Sequence, residues 1–318
     1  MVSIIVSVYN EELGLLKAYQ EMRRVLDSLS ENYELLFVND GSTDQSAERL
    51  SEILREDPVH VRVITFSRNF GHEAAMTAGL DYAEGDRLIF MDADLQHPPK
   101  SIPEILCKME EGSNIVNMVR TRNRSAGLLK NITSNAFYYV INRMSDMHLE
   151  PAASDFFAID RKVAEVLRQN YRERIRFLRG YVQNVGFQKT TLNYEAAPRT
   201  AGHSHYSLRK LWRFSMDTII CFSNLPLKLG IYAGLLSALL GIGLIVYTLL
   251  TRGGAPSGYA TIVIVLCFMF AVLFLIVGVI GEYISIIFSE LKDRPIYIVA
   301  DIQGGDRKNA METDPDSK

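Results

Sequence analysis

The feature that most constrains this chain is a long segment that carries almost no charge. Between Lys228 and Glu282 the only charged residue is Arg252. Such a segment cannot form the surface of a soluble domain, although the chain as a whole is 22% charged. The sequence therefore predicts a soluble region followed by a membrane-embedded one. A formal net charge of -3 argues against a nucleic-acid partner, which would favour a marked basic excess.

The charge-poor segment contains two apolar stretches, 227–250 and 260–284, each long enough to span a bilayer. Glycine and proline between them predict a short turn, and hence a transmembrane hairpin. Basic residues flank the hairpin on both sides, whereas the turn contains Arg252 alone; the flanking residues are Arg209, Lys210, Arg213, Lys228, Lys292 and Arg294. The positive-inside rule places both ends in the cytoplasm. Two buried core helices would need a second layer of protein that the remaining sequence does not supply.

The soluble region, 1–205, alternates strand-like and helix-like segments. The β-rich segments are 2–9, 34–39, 61–66 and 87–91. Amphipathic helical patterns follow them, from Glu11, Ser42, Gly71 and Pro98. This alternation is typical of an α/β domain with a mostly parallel, Rossmann-like sheet. Ligands bind such sheets at the carboxyl ends of the strands, so we expect the site in the loops after Val8, Val38 and Met91.

The third of these loops carries two carboxylates and an amide, Asp92, Asp94 and Gln96, directly after an apolar strand. Mg²⁺ and Mn²⁺ prefer oxygen ligands and share them with substrate phosphates. The loop is therefore a candidate site for a metal and a diphosphate. An Asp-x-Asp triplet is also common in turns and helix caps, and only its place at a strand end favours the metal.

The second loop offers Asp40, whose carboxylate can accept a hydrogen bond from a base or a ribose. Gly41 and Ser42 beside it are typical of a tight turn and a helix cap. The first loop adds the aromatic ring of Tyr9 and the carboxylate of Glu12, which also suits the first turn of a helix.

Three further segments complete the organisation. Residues 206–226 have the amphipathic pattern of an interfacial helix, with the single tryptophan, Trp212, on its apolar face. The C-terminal segment is 288–318, and we expect disorder after Ala300. Three scattered cysteines indicate neither a disulfide framework nor a zinc cluster, which suits a reducing compartment.

Together these motifs resemble the inverting family 2 glycosyltransferases with a GT-A fold. The resemblance is closest to the membrane-bound polyprenyl-phosphate glycosyltransferases, which include bactoprenol glucosyltransferases and dolichol-phosphate mannose synthase. It covers almost the whole chain, through the segments 6–12, 38–44, 67–71, 92–99, 154–161, 199–206, the hairpin, 281–283 and 292–297.

The resemblance implies roles for individual residues. The residues that hold the nucleotide sugar are then Ser7, Tyr9, Glu11, Asp40 and Asp92. The residues that hold the metal and the diphosphate are Asp92, Asp94 and Gln96. The catalytic residues are Asp94, which acts through the metal, and Asp155, which is the acidic residue on the acceptor side.

The same resemblance implies that basic residues receive the acceptor phosphate. Arg199 lies in the family's basic acceptor loop, where relatives commonly have lysine at the position of His205, so a phosphate contact there would depend on pH. The presence of His205 is explained equally well if the loop simply faces solvent, where polar side chains are common. Arg120 and Arg122, in a basic cluster after a strand, can also receive a phosphate or form a solvated loop.

The expected function is the inverting transfer of one sugar from a nucleotide sugar, UDP-glucose or a UDP-N-acetylhexosamine, to polyprenyl (undecaprenyl) phosphate. The enzyme would be a multi-pass plasma-membrane protein with a cytoplasmic catalytic domain, serving cell-envelope glycan modification. Alternatives are a processive polysaccharide synthase, or a non-catalytic flippase or scaffold. Glycines of the hairpin, such as Gly230 and Gly241, allow either internal packing or a homo-oligomer.

Overall fold

The computed structural model describes residues 1–121, 150, 153–174, 176–196, 225–250 and 258–305. The chain divides into two compact units. The first contains Met1–Tyr139, Met147–Ser207 and Pro295–Lys318, and the second contains Val140–Asp146 and Leu208–Arg294. The interfacial helix predicted for 206–226 lies almost entirely outside the described residues, since 206–224 are not among them.

In the described residues, the first unit is built on an eight-stranded sheet with the order β7-β5-β6-β4-β1-β2-β3-β8. Its strands are β1 Val2–Val8, β2 Tyr33–Asn39, β3 Val61–Phe66, β4 Arg87–Asp92, β5 Ile115–Arg120, β6 Ala153–Asp160, β7 Lys189–Tyr194 and β8 Val299–Gly304. Neighbouring strands in the central group β4-β1-β2-β3 are parallel, and β6 and β8 run opposite to their neighbours. The α/β domain predicted from the sequence is confirmed, and its sheet is mixed because β6 and β8 add antiparallel pairs to the predicted parallel strands.

Helices cover both faces of this sheet. They are α1 Leu15–Leu26, α2 Ser46–Glu56, α3 His72–Tyr82, α4 Ile102–Glu110, α5 Arg161–Asn170 and α6 Leu178–Asn184. Apolar residues of α1 at helical spacing, among them Leu15, Tyr19 and Met22, are buried with the even-numbered residues of β1 in one core. On the opposite face Gly79 of α3 lies so close to Ile5 that an added Cβ would clash with the isoleucine side chain.

Two helices begin later than the sequence pattern indicated. The segment from Glu11 becomes helical only at Leu15, and the segment from Ser42 only at Ser46. The intervening residues form loops at the carboxyl ends of β1 and β2, where their side chains cap and contact one another. β1 lies between β2 and β4 in the sheet, so the strand order reverses at β1: the chain first adds β2 and β3 on one side and then β4 on the other. At such a reversal the loops on the two sides diverge and leave a crevice at the carboxyl ends of the strands.

The prediction of disorder from Ala300 onward is wrong for residues 301–304, because they belong to β8, which pairs with β3 in antiparallel register. Just before β8, the ring of Tyr297 stacks on Phe66 of β3 at 5.1 Å, and its hydroxyl donates to Asp81 of α3 over 2.6 Å. The backbone N–H of Ser67 donates to the Ile298 carbonyl. Residues that look like a polar tail in sequence therefore complete the sheet, since an edge strand needs only backbone partners.

We expect Tyr297→Phe to lower the stability of the first unit by about 1–2 kcal/mol, because the variant loses a hydrogen bond to a carboxylate but keeps the stacking on Phe66. Thermal unfolding of the full chain in detergent measures the change. Tyr232→Phe is the matched control, since that side chain is 64% exposed in the second unit. Equal unfolding temperatures for the wild type and Tyr297→Phe would contradict the anchoring role.

The second unit contains two long apolar helices, α7 Leu225–Leu250 and α8 Tyr259–Leu291. Among the described residues, one stretch, Phe268–Leu291, is long and apolar enough to cross a membrane. The apolar stretch of α7 over Leu229–Gly243 is shorter, so the first predicted span stays a prediction. A Cβ at Gly230 would contact Ile276 of α8, which shows that the two helices touch within one chain.

Candidate active site

The candidate site is built from the loops that follow β1, β2, β3 and β4, all at one edge of the sheet. The first two loops are joined by hydrogen bonds from backbone to side chain. Asn10 accepts the N–H of Thr43 on its side chain at 2.8 Å, and its own N–H donates to Ser42 Oγ at 3.1 Å. Glu12 accepts the N–H of Gln45, so it caps the start of α2 rather than of its own helix. These contacts hold Tyr9, which is 38% exposed, at the rim of the crevice.

Asp40 is almost completely buried and fixes the loop that follows β3. Its carboxylate accepts the backbone N–H groups of Phe70 and Gly71, at 2.6 and 2.9 Å, and the side-chain amide of Asn69 at 2.9 Å. Burial raises the pKa of Asp40, and the two backbone hydrogen bonds partly oppose that rise. The carboxylate thus has a structural task in this conformation, and its contact with a nucleoside stays a prediction.

Gly41 allows these two loops to approach closely. Its φ is +61°, in the left-handed region, and an added Cβ would clash with the backbone of Arg68. Glycine is therefore required both by the turn and by the neighbouring loop. The tight turn predicted at Gly41 from the sequence is confirmed. The close approach of the Arg68 backbone is a second reason why this position requires glycine.

The loop after β4 presents the predicted metal ligands. Asp92 ends the strand, and Asp94 Oδ1 accepts the N–H of Gln96 at 3.0 Å in a tight turn where Leu95 has a φ of +60°. Gln96 Oε1 in turn accepts a hydrogen bond of 3.4 Å from Arg120 at the end of β5. The three predicted ligands offer oxygen atoms, which suit Mg²⁺ or Mn²⁺ shared with a diphosphate. The described residues contain no group of three or more His, Cys, Asp or Glu arranged as a complete metal site.

Two histidines that the sequence analysis did not single out flank Asp92. His72, the first residue of α3, has its Nδ1 2.9 Å from Ser7 Oγ and its Nε2 3.9 Å from Asp92 Oδ1. His97 accepts the N–H of Asp92 on its Nδ1 at 3.0 Å while its ring stacks on Phe156. Ser7 and His72 thus lie against the Asp92 carboxylate, whereas His97 binds the backbone N–H of the same residue.

Asp155 of β6 lies beside the same histidine. Its Oδ2 is 3.8 Å from His72 Nε2, and its Oδ1 is 3.4 Å from a terminal nitrogen of Arg179 in α6. Burial alone would raise the pKa of Asp155, but the charges of Arg179 and His72 outweigh it and lower the pKa overall. For His72, burial favours the neutral ring, whereas Asp92 and Asp155 raise its pKa. The Asp155 carboxylate is therefore ionised near neutral pH.

Glu73 completes this group of side chains. Its Oε2 accepts the N–H of Leu178 at 2.8 Å, which ties the start of α3 to the start of α6. Burial, followed by the repulsion of Asp155, raises the pKa of Glu73 to about 7. The folded protein therefore keeps a proton on Glu73 that the unfolded chain releases above its ordinary value of 4.5. The stability that results is present at low pH and is lost as the pH rises through about 7.

We expect Glu73→Gln to raise the unfolding temperature at about pH 8 and to leave it nearly unchanged at about pH 5. Glutamine stays neutral at both values and can still accept the N–H of Leu178 through its side-chain oxygen. Thermal unfolding at the two pH values measures the difference. Glu48→Gln, an exposed change in the first turn of α2, is the control. A Glu73→Gln variant that is less stable than the wild type at the higher pH would contradict the raised pKa.

The structure brings several of the predicted site residues together and leaves others outside its description. Ser7 and Asp92 share a hydrogen bond of 3.3 Å. His72, which lies beside both of them, is also 3.8 Å from Asp155. Arg120 contacts Gln96 and so lies next to the predicted metal ligands. Glu11 uses its backbone N–H to bond Ser46 Oγ. Arg122, Arg199 and His205 lie outside the described residues.

The residues that the sequence analysis missed are His72, Glu73, His97 and Arg179. Position in the chain was the available signal for two of them, because His72 and Glu73 open the helix that follows the carboxyl end of β3. Arg179 had no such signal, since α6 reaches Asp155 only through the tertiary packing of α3, α6 and β6.

The comparisons with known proteins agree with this architecture. The profile of glycosyl transferase family 2 matches residues 3–168, which include the four loops and Asp155. The chain belongs to glycosyltransferase family 2. A second profile, the GtrB C-terminal hairpin, matches residues 225–287 of this glycosyltransferase, across α7 and most of α8.

Individual relatives extend the match to nearly the full length of this family 2 glycosyltransferase. The uncharacterised glycosyltransferase YkcC of Bacillus subtilis is 42% identical over 96% of this chain and 95% of its own length. The SfII prophage-derived bactoprenol glucosyl transferase of Shigella flexneri is 35% identical over 94% of this chain and 97% of its own. Glucosyl-3-phosphoglycerate synthase from Mycobacterium tuberculosis, solved with Mn²⁺ and UDP, is 20% identical, with a TM-score of 0.48 over 69% of this chain and 76% of its own.

Proposed function

We propose that this family 2 glycosyltransferase transfers one hexose from a UDP-sugar to a polyprenyl phosphate, with inversion at the anomeric carbon. In the reaction an oxygen of the acceptor phosphate bonds to C1 of the sugar while the bond from C1 to the diphosphate breaks, and UDP leaves. The observation that carries the proposal is the short path from Ser7 and Asp92 through His72 to Asp155, because it joins the expected donor and acceptor sides within about one side-chain length.

On the donor side, Tyr9 at the rim supplies an aromatic face for the base, and Asp40 maintains the neighbouring loop. Asp92, Asp94 and Gln96 are proposed to hold Mg²⁺ or Mn²⁺ together with oxygens of the diphosphate, since their chemistry suits such a shared ion. A bound divalent ion supplies positive charge to the leaving diphosphate. Ser7 and His72 lie against the Asp92 carboxylate and His97 binds its backbone N–H, and we propose that the three together position Asp92 for this task.

On the acceptor side, the apolar second unit supports a lipid substrate. Large side chains of α7 and α8, such as Leu239 at 66% and Phe274 at 69% exposure, are uncovered in the chain by itself. A bilayer covers such a surface, and it is also where a polyprenyl phosphate resides. The bactoprenol glucosyl transferase of Shigella flexneri aligns with this chain over 97% of its own length. The aligned part includes the second unit, where the hairpin profile matches residues 225–287. We therefore place the reaction at the cytoplasmic leaflet of the plasma membrane, in cell-envelope glycan modification.

The test is an assay of the purified full chain with radiolabelled UDP-sugars and undecaprenyl phosphate. We expect a single chloroform-soluble product that carries one sugar, and mass spectrometry across a panel of UDP-glucose and UDP-N-acetylhexosamines identifies which one. A ladder of longer glycans would instead indicate a processive synthase. Product formation with none of the nucleotide sugars would overturn the proposal and favour a flippase or a scaffold.

The topology gives a separate prediction. Because basic residues flank the hairpin and Arg252 alone lies between its helices, we expect the turn near Gly258 to face the outside. A single cysteine at Gly258, in a chain whose own cysteines are replaced, should react with an impermeant maleimide in intact cells. A cysteine at Asp44 should react only after lysis. Labelling of the Asp44 cysteine in intact cells would reverse the proposed orientation.

A further inference from the structure

Two segments belong to the family resemblance but have no role in the proposed reaction. They are 67–71, the loop after β3, and 292–297, which follows α8. Both profile matches leave the second segment out, since they end at residues 168 and 287. We call residues 67–71 the β3 loop and residues 295–298, which precede β8, the C-terminal strap. In the first unit the strap and the β3 loop are in contact.

The strap is fixed to the end of β3 through both backbone and side chain. The N–H of Ser67 donates to the carbonyl of Ile298 at 3.0 Å. The ring of Tyr297 stacks on Phe66, with ring centres 5.1 Å apart and planes inclined by 9°. The pairing register of β3 with β8 shifts between Thr65 and Phe66, and such an irregularity re-aims the side chains beside it. The strap therefore contacts β3 at the residue where the β3 loop begins.

Phe66 also contacts the β3 loop. Its ring packs edge to face on Phe70, with centres 5.8 Å apart, and Phe66 is only 2% exposed. The N–H groups of Phe70 and Gly71 donate to Asp40, which follows β2. Stacked and edge-to-face aromatic pairs each favour one relative orientation of their rings. A continuous series of contacts thus runs from Tyr297 to Asp40 beside the crevice.

Tyr297 contacts α3 as well, the helix that begins at the candidate site with His72. Its hydroxyl donates to Asp81 Oδ2 at 2.6 Å, in the last turn of that helix. Arg172 donates to both oxygens of the same carboxylate, at 2.7 and 3.0 Å. Asp81 is only 17% exposed, so this junction is largely shielded from solvent. One side chain therefore braces both elements that flank the β3 loop.

The β3 loop depends on such support. Ser67, Arg68 and Asn69 are exposed, and Gly71 at its end has a φ of +102°. Loop segments with few buried contacts open locally at a low cost in free energy. The hydrogen bonds to Asp40 and the packing on the end of β3 oppose this opening. The strap supports the second of these two contacts.

We propose that the C-terminal strap holds the β3 loop in the conformation that binds the nucleotide, with Tyr297 as the positioning residue. The inference deepens the proposed function and rests on it, because it takes the nucleotide to lie among the loops after β1, β2 and β3. Tyr297 acts on that site through Phe66 and Asp81. A loop that adopts its binding conformation for only part of the time weakens the apparent affinity in the same proportion.

The experiment measures the Kd of UDP by titration calorimetry, with Mn²⁺ present and the purified full chain in detergent, well below the unfolding temperature. Tyr297→Leu should raise this Kd about tenfold, because it removes the ring and the hydroxyl together. Tyr297→Phe should raise it less than about threefold, since its ring still stacks on Phe66. If Tyr297→Leu does not fold, Tyr297→Met replaces it, because a flexible thioether fills most of the same space. An unchanged Kd without the ring would overturn the inference.

Val163→Ala is the matched control for a general loss of stability. Val163 of α5 is completely buried. It follows Asp160, which pairs with Arg87 at the start of β4, so it lies at the opposite edge of the sheet from the candidate site. The control should unfold at a lower temperature than the wild type but bind UDP with the same Kd. If Val163→Ala weakened UDP binding as much as Tyr297→Leu does, lost stability would explain both effects and the positioning role would be wrong.

Hydrogen exchange measured by mass spectrometry reports on the β3 loop itself. Exchange in a peptide that contains 67–71 should accelerate in Tyr297→Leu and keep its wild-type rate in Val163→Ala. In steady-state kinetics, Tyr297→Leu should raise the donor KM about tenfold, change the acceptor KM less than about twofold and leave kcat nearly unaltered. A lower kcat with an unaltered donor KM would contradict the inference. A wild type that binds no UDP refutes the proposed function itself, whereas equal UDP affinities of the wild type and Tyr297→Leu refute this inference alone.

Discussion

Asp94→Ala is expected to reduce the transfer rate by about a thousandfold while the domain stays folded, because the carboxylate is proposed to hold the ion that neutralises the leaving diphosphate. Excess chelator should abolish wild-type activity, and Mg²⁺ or Mn²⁺ should restore it. The measurement is the initial rate of lipid-linked product formation with and without added metal.

Two further variants sharpen this result. Asp94 Oδ1 also accepts the N–H of Gln96, so alanine removes a turn contact together with a charge. Asp94→Asn keeps an oxygen for that contact and should still lose most of the activity, which would assign the loss to the missing charge. Glu104→Ala, an exposed acidic residue in the first turn of α4, is the control and should be unaffected. Full activity in excess chelator would remove the metal assignment.

Asp155→Asn is expected to reduce activity about tenfold to a hundredfold, by an amount that stays nearly constant between about pH 7 and 8.5. A phosphate acceptor with a second pKa of about 6 is largely ionised over this range, so it needs no base. The charges of Arg179 and His72 lower the pKa of Asp155 although burial opposes them. The Asp155 carboxylate therefore stays charged throughout the same range. Orientation of the acceptor site should therefore account for its effect.

The measurement is the pH profile of kcat/KM for the wild type and Asp155→Asn. If the wild type shows a rising limb that disappears in Asp155→Asn, Asp155 acts as a base and the orientation account is wrong. A limb that persists in Asp155→Asn and disappears in Glu73→Gln belongs instead to Glu73, whose pKa lies at about 7. Asp86→Asn, at an exposed carboxylate that pairs with the N-terminus, controls for the loss of a charge.

Much of the fold could be predicted because it depends on local patterns. The apolar runs that became β1 to β4 are continuous in sequence, and they are buried on both faces as a central parallel sheet requires. β8 could not be predicted in the same way. Its residues are mostly exposed and alternate little between apolar and polar side chains. They are held in the sheet by backbone pairing with β3 and by the anchor of Tyr297 on Phe66 and Asp81.

The sequence by itself determined the strand-end loops, the separate apolar region and the family, because each depends on residue types in a fixed order along the chain. Only the tertiary structure decided what surrounds each carboxylate. The sequence placed Asp40 at a strand end, and the family resemblance singled out Asp155, yet backbone N–H groups surround the first, and Arg179 and His72 flank the second. The physical reason is that these partners come from helices and loops distant in sequence, and local patterns contain no information about which of them the packing brings within reach.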